Sequence, residues 1–131
     1  MPHCTFEYSA NLASATDLQA LARALHQAML KTGLFELGAI RVRGLSADFY
    51  ALADLLEDNS FIDISLRIGK GRSAADKARA GEAIFKAASE CLADLLATEH
   101  FMLSLEIREI DAELSWKKNT IHPRLRQSAA P

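Results

Sequence analysis

Few residues in this chain have the type and setting to do chemistry, and the most unusual of them stands second. The chain opens MPHCTFEY. Inside a chain, proline has no N–H to donate and fits a strand only at its start or edge, so Pro2 has a purely structural reading as punctuation. Removal of Met1 changes that chemistry, because Pro2 then carries a secondary amine at the chain terminus. Pro2 shares the alternation of Cys4 and Phe6, which puts it on the apolar side of the first strand. Burial disfavours the charged form of an amine, and nearby cations disfavour it further. Such an amine is a neutral base near pH 7, suited to moving protons. With Met1 in place the nitrogen is an amide and has no basicity.

Arg72 is the second candidate. It lies in GKGRS, residues 69–73, at the entrance to a helix, where the helix dipole disfavours a cation. Either it is a solvated arginine on a turn, or it meets an anion. The glycines and the helix start suggest a phosphate cradle, but the rest of the P-loop pattern is missing and a tight strand-to-helix turn accounts for both glycines. His3, His26, His100 and His122 lack metal-ligand spacing and read as surface or hydrogen-bonded histidines. No GxSxG, Walker or HExxH pattern occurs. Cys4 and Cys91 have no CxxC spacing, which favours a reduced, cytoplasmic setting over a disulfide scaffold.

Four period-two stretches must position these residues. Cys4, Phe6 and Tyr8 oppose His3, Thr5 and Glu7; Ile40 and Val42 oppose Arg41 and Arg43. Ile62, Ile64, Leu66 and Ile68 oppose Asp63, Ser65 and Arg67; Leu103, Leu105 and Ile107 oppose Ser104, Glu106 and Arg108. Each predicts a strand with one apolar face. Leu18, Leu21, Leu25 and Met29 predict a first helix, opened by a Thr16–Gln19 capping box and stopped by Gly33. Ile84, Phe85, Ala88, Cys91, Leu92, Leu95 and Leu96 predict a second, with Ser73 and Asp76 at its start.

The order is a βαβ unit written twice, over residues 2–45 and 60–110 of a single 1–131 domain. It predicts an α+β fold: a four-stranded mixed sheet with both helices on one face, the crossovers right-handed. If the third strand runs antiparallel beside the first, its end brings Arg72 close to Pro2, and base and cation share a pocket. The polar face holds Arg41, Arg43 and Arg67 against Glu7, Asp63 and Glu106; it is either solvated or covered by sister subunits. Residues 46–60, SADFYALADLLEDNS, have the spacing of a short amphipathic helix on Phe49, Leu52, Leu55 and Leu56. Residues 111–131 form a C-terminal arm, with LSW and TIH as short extended pieces around KKN and a frayed end. From Leu114 onward this arm is expected to clasp a neighbour.

Bulk properties exclude several classes. The 131 residues carry 15 Lys and Arg against 17 Asp and Glu, a net charge of −2, which gives no electrostatic case for nucleic acid or a membrane surface. No apolar run reaches spanning length, and no secretory signal pattern opens the chain.

MPH, GAIRVR (residues 38–43), LRIGKGRS (66–73) and LSLEIREID…LSWKKNTIH (103–122) stand in an order that resembles the 5-carboxymethyl-2-hydroxymuconate isomerase family of the tautomerase superfamily. The resemblance implies a doubled βαβ fold, a homotrimer with its sheets packed inside, and an amino-terminal proline as catalytic base. It implies ketonisation of a 2-hydroxymuconate-type dienol in homoprotocatechuate catabolism, with no metal or organic cofactor. On the matching positions Pro2 is the base, and Arg41 and Arg72 are the active-site arginines. Arginine suits a substrate with several carboxylates, because it stays charged and binds them in a bidentate manner. Arg41 has the polar-face parity, opposite to Pro2, which fits service to a neighbouring subunit's pocket. The competing readings are a related tautomerase acting on another enol acid, and a non-enzymatic oligomeric βαβ module in which Pro2 is punctuation and the arginines pair with acids.

Overall fold

The computed structural model describes residues 1–129. Its strands are β1 (His3–Ser9), β2 (Arg41–Ala47), β3 (Ser60–Gly69) and β4 (Phe101–Ile110), arranged β2-β1-β3-β4 in one four-stranded sheet. The two outer pairings are parallel and the central β1–β3 pairing is antiparallel, with His3 opposite both Arg41 and Arg67. The doubled βαβ order predicts this mixed sheet, and the antiparallel centre brings the end of β3 to the start of β1.

Helices α1 (Leu18–Lys31) and α2 (Ala74–Cys91) cover one face. The apolar side of β3 is the centre of the core: Ile62, Ile64, Leu66 and Ile68 are all fully buried. Leu21, Leu25 and Met29 of α1, and Ala80, Ile84 and Ala88 of α2, recur every four residues and close over it. Each such Leu or Ile contributes about 1.5–3 kcal/mol of burial. Gly44 of β2 leaves room for Phe6, since a Cβ there would meet the ring at 2.4 Å.

Capping fixes where each helix begins. Ser73 Oγ accepts from Asp76 N at 3.1 Å, as the sequence predicts. For α1 the cap is Asp17, which accepts from Ala20 N at 2.9 Å, one residue past the expected Thr16. A four-residue turn of helix, α3 (Ala93–Leu96), follows α2.

Two stretches depart from expectation. Residues 48–59 form a loop instead of a short helix. Ala53 (φ 50) and Leu55 (φ 69) lie in the left-handed region, and Asn59 ties the loop by donating to Leu52 O and Asp54 Oδ1. A helix there would have had no surface to pack on: Phe49 is 97% exposed and Leu55 71%. The C-terminal arm is also not extended throughout. Residues 115–119 are irregular, and α4 (Ile121–Ala129) follows as a helix. Asn119 Oδ1 caps it, accepting from Ile121 N at 2.8 Å and His122 N at 3.1 Å. Pro123 sits in the first turn, where a missing N–H costs nothing. The frayed end expected for the last residues falls largely on 130–131, outside the described residues. Among the described residues no helix is long and apolar enough to cross a membrane.

Candidate active site

Pro2 is buried immediately before the β1 ladder begins at His3. It forms the floor of a hollow of about 620 Å³ whose walls include Phe35, Arg72, Lys117, Asn119 and His122. The structure therefore brings together the two residues that sequence reasoning placed in one pocket, and the antiparallel β1–β3 pairing is the cause.

Arg72 is held by carbonyls, not by an acid. Its Nη1 donates to Gly69 O at 3.3 Å and its Nη2 to Leu34 O at 3.2 Å, while Cζ lies 4.9 Å from the centre of the Phe35 ring. These contacts offset its unfavourable place at the α2 entrance and fix the guanidinium without neutralising it. Gly71, at φ +113, provides the turn that aims it. Phe35 itself is placed by the end of α1: Gly33 at φ +71 turns the chain, and Leu34 N donates to Thr32 Oγ1 at 3.2 Å.

Arg41 starts β2 and faces the other side of the sheet, as its parity predicts. It lines an adjoining hollow of about 240 Å³ with His3, Trp116 and Lys117. Met1 stands between the two hollows and belongs to both. Its Sδ lies 3.4 Å from Arg41 Nη2 and 3.4 Å from Asn119 Nδ2.

The terminal amine meets a cationic field. The Met1 amine is lowered from its ordinary value of 8.0 by burial, then by the charge and hydrogen bond of Lys117, then by Arg72 and Arg41. His3 adds no compensating charge, since burial and the nearby Arg41, Arg67 and Arg43 push it down to about 4. Cys4 is no rival nucleophile, because burial pushes its thiol up to about 12.

Apart from His122, which the sequence reading took as a surface or hydrogen-bonded histidine, the far wall comes from residues that sequence reasoning did not single out. Asn119 Nδ2 donates to Gly38 O at 2.8 Å, docking residues 115–119 on the turn before β2. Glu36 receives a two-pronged hydrogen bond from Arg126, at 2.9 and 2.8 Å, and its Oε2 lies against His122 Nδ1. The Arg126 hydrogen bond holds the Glu36 carboxyl below its usual range. The dense polar run KKNTIH was the one signal for this wall, and its contacts depend on partners some eighty residues earlier, 81 in the case of Asn119 and Gly38. Among the described residues no group of three or more His, Cys, Asp or Glu comes together as a metal site would.

This arrangement offers a buried Pro2 beside a half-buried terminal amine, fixed cations on both sides, and among the described residues no free carboxylate lining the hollows to neutralise them. It can hold an anionic molecule against an amine whose proton is easily lost. Residues 2–125 match the family model described as 5-carboxymethyl-2-hydroxymuconate isomerase. The 5-carboxymethyl-2-hydroxymuconate Delta-isomerase of Escherichia coli is 34% identical over 122 residues, 93% of this chain and 97% of the relative. A solved 5-carboxymethyl-2-hydroxymuconate isomerase from Deinococcus radiodurans R1 is 37% identical with a TM-score of 0.88, covering 95% of this chain and 94% of that one. A member of the cis-3-chloroacrylic acid dehalogenase family, N1, superposes with a TM-score of 0.62 at 20% identity, over 97% of this chain and 92% of its own. That last likeness shows a shared fold alone.

Proposed function

The chain belongs to the 5-carboxymethyl-2-hydroxymuconate isomerase family, and from that premise we propose that Pro2, freed by removal of Met1, is the base of an enol–keto isomerase. The substrate is 5-carboxymethyl-2-hydroxymuconate or a close 2-hydroxymuconate-type dienol. Neutral Pro2 takes the proton of the 2-hydroxyl and returns one to carbon at the far end of the conjugated system. Negative charge develops on the oxygen and spreads through the diene, where a fixed guanidinium stabilises it. The second arginine holds a carboxylate and so sets which carbon faces Pro2. Arg72 and Arg41 share these two tasks.

The observation that carries the reading is the pairing of a buried Pro2 with Arg72 in one hollow, beside a terminal amine that Lys117 and both arginines depress. Once Met1 is gone, burial and the same cations act on the Pro2 amine and lower it, the direction a general base requires. Intact mass establishes whether Met1 is gone, and ultraviolet absorbance then follows loss of the conjugated dienol. Processed protein ketonises the substrate and Met1-retaining protein does not. Equal rates for the two forms would sink the proline-base mechanism.

The proposal extends to a homotrimer. The helix-free sheet face presents Arg41, Arg43, Arg67 and Arg108 at one end and Glu7 and Asp63 further along, while Leu114 and Trp116 are 72% and 85% exposed. A sister subunit on that face would pair the charges and cover the tryptophan. A monomer by light scattering at micromolar concentration would exclude this assembly.

A further inference from the structure

Lys117 occupies a place that the arginine pair does not explain. It lies in the irregular stretch 115–119, which Asn119 pins to Gly38. Three hollows meet around Met1, of about 620, 240 and 170 Å³, and Lys117 lines all of them. Arg72 lines only the first and Arg41 only the second. Among the described residues Lys117 makes no salt bridge, and Glu36, the single carboxylate lining any of these hollows, is already engaged by Arg126 and His122. The Lys117 ammonium is one of the cations whose charge adds to burial in lowering the Met1 amine. A cation at the junction of the Arg72 and Arg41 hollows, with no free acid lining them among the described residues, is unfavourable until an anion arrives.

We propose that Lys117 binds a carboxylate of the substrate at the junction of the Pro2 and Arg41 hollows, and thereby makes the site selective for a tricarboxylate dienol. This rests on the ketonisation reading above and deepens it. 5-Carboxymethyl-2-hydroxymuconate has three carboxylates: two lie at the ends of a planar diene and the third hangs on a methylene arm. A planar guanidinium fork suits a carboxylate that the diene holds in place. An ammonium on a flexible stem suits the one that swings. Lys117 is therefore assigned the carboxymethyl group.

The test uses full-length protein whose loss of Met1 is confirmed by intact mass. Wild type, Lys117→Met, Lys117→Arg and Pro2→Ala are assayed with 5-carboxymethyl-2-hydroxymuconate and with 2-hydroxymuconate, which lacks the carboxymethyl arm. Lys117→Met should lower kcat/KM for the tricarboxylate by about tenfold to a hundredfold, mainly through KM, the scale of one charged hydrogen bond. For 2-hydroxymuconate the fall should be about tenfold smaller: the part common to both substrates is the charge of Lys117 on the amine, and the excess on the tricarboxylate is the carboxymethyl contact. Lys117→Arg should recover much of the loss. Where 2-hydroxymuconate turns over too slowly, its inhibition constant against the tricarboxylate gives the same comparison. Equal losses on both substrates, or none on either, overturn the assignment of Lys117. Wild type inactive on both substrates, or Pro2→Ala as active as wild type, would instead overturn the ketonisation reading itself.

Discussion

The two ends of the sheet are built from the same four strands and carry opposite chemistry. Where β1 and β2 begin and β3 and β4 end, Arg41, Arg67, Arg72 and Lys117 gather. At the other end, residues 48–59 and 97–100 contain Asp48, Asp54, Glu57, Asp58 and Glu99 and no lysine or arginine. Both ends have a hollow of similar size, about 620 Å³ beside Pro2 and about 510 Å³ beside Asn59. The difference lies in how the polar groups are spent. At the acidic end, Asn59 donates to Leu52 O and Asp54, and its oxygen lies 3.3 Å from His100 Nδ1. Ser9 Oγ donates to Asn11 at 2.7 Å and accepts from Phe61 N at 3.0 Å. At the cationic end, Arg72 has only carbonyls, Arg41 a thioether, and Lys117 no ion pair among the described residues. Neither charge density nor volume distinguishes a site from a scaffold here. Fixed charge without its counter-ion does.

The largest effect that could break this contrast belongs to Pro2. Replacing it with alanine in processed protein should lower kcat/KM by about 10²- to 10⁴-fold, the usual worth of a positioned base. Stability should barely move, because the β1 ladder starts only at His3. A loss of activity that tracked a loss of folded protein in a urea melt would make Pro2 punctuation after all. Arg72→Ala comes next, with a fall in kcat/KM of about 10²- to 10³-fold, as when one preorganised donor to a developing oxyanion is removed. An unchanged value would take Arg72 out of the site and leave its carbonyl contacts purely structural.

The acidic end should respond the other way. Asn59→Ala strips partners from a buried network and should cost about 1–3 kcal/mol of stability by urea unfolding. Its kcat/KM should stay within about twofold, since the substitution lies at the far end of the sheet. Loss of catalysis without loss of stability would mean the two ends are coupled.

How much of this was legible before the structure follows the same division. The strands were legible because one face of each is packed by a helix, and alternation records that packing directly: Cys4 and Phe6, or Ile62 through Ile68, are buried where the period-two pattern puts them. The meeting of Pro2 and Arg72 needed only strand direction in addition. Residues 48–59 misled because Phe49, Leu52, Leu55 and Leu56 have helical spacing, and spacing alone does not reveal whether that face has anything to cover. The wall formed by Lys117, Asn119 and His122 was illegible for a different reason. Its helix depends on a cap from Asn119 and on docking to Gly38 and Glu36, and neither contact leaves a periodic trace.

The smallest expected effect, and the finest test of the contrast, concerns Glu36, the one carboxylate among the described residues that lines the Pro2 hollow. Glu36 is held below its ordinary value of 4.5, chiefly by the hydrogen bond from Arg126. A carboxyl with a depressed folded value stabilises the folded form above its unfolded value, and that contribution disappears as pH falls through the folded value. Docking of α4 should therefore be complete at neutral pH and weaken below about pH 4.5. Hydrogen exchange of the α4 amides, corrected for intrinsic rates and referenced to α1, reads this directly. Asp54 is also depressed, chiefly by its hydrogen bond from Asn59, so the 48–59 loop should loosen over the same acid range. Glu36→Gln separates the two: it should abolish the acid step in α4 and leave that of the loop intact. At neutral pH the same substitution should raise KM by less than about fivefold, since an exposed ion pair holds α4 only weakly. If α4 still loosens in acid without Glu36, the helix is held by Asn119 and packing alone, and the pocket wall owes nothing to Glu36.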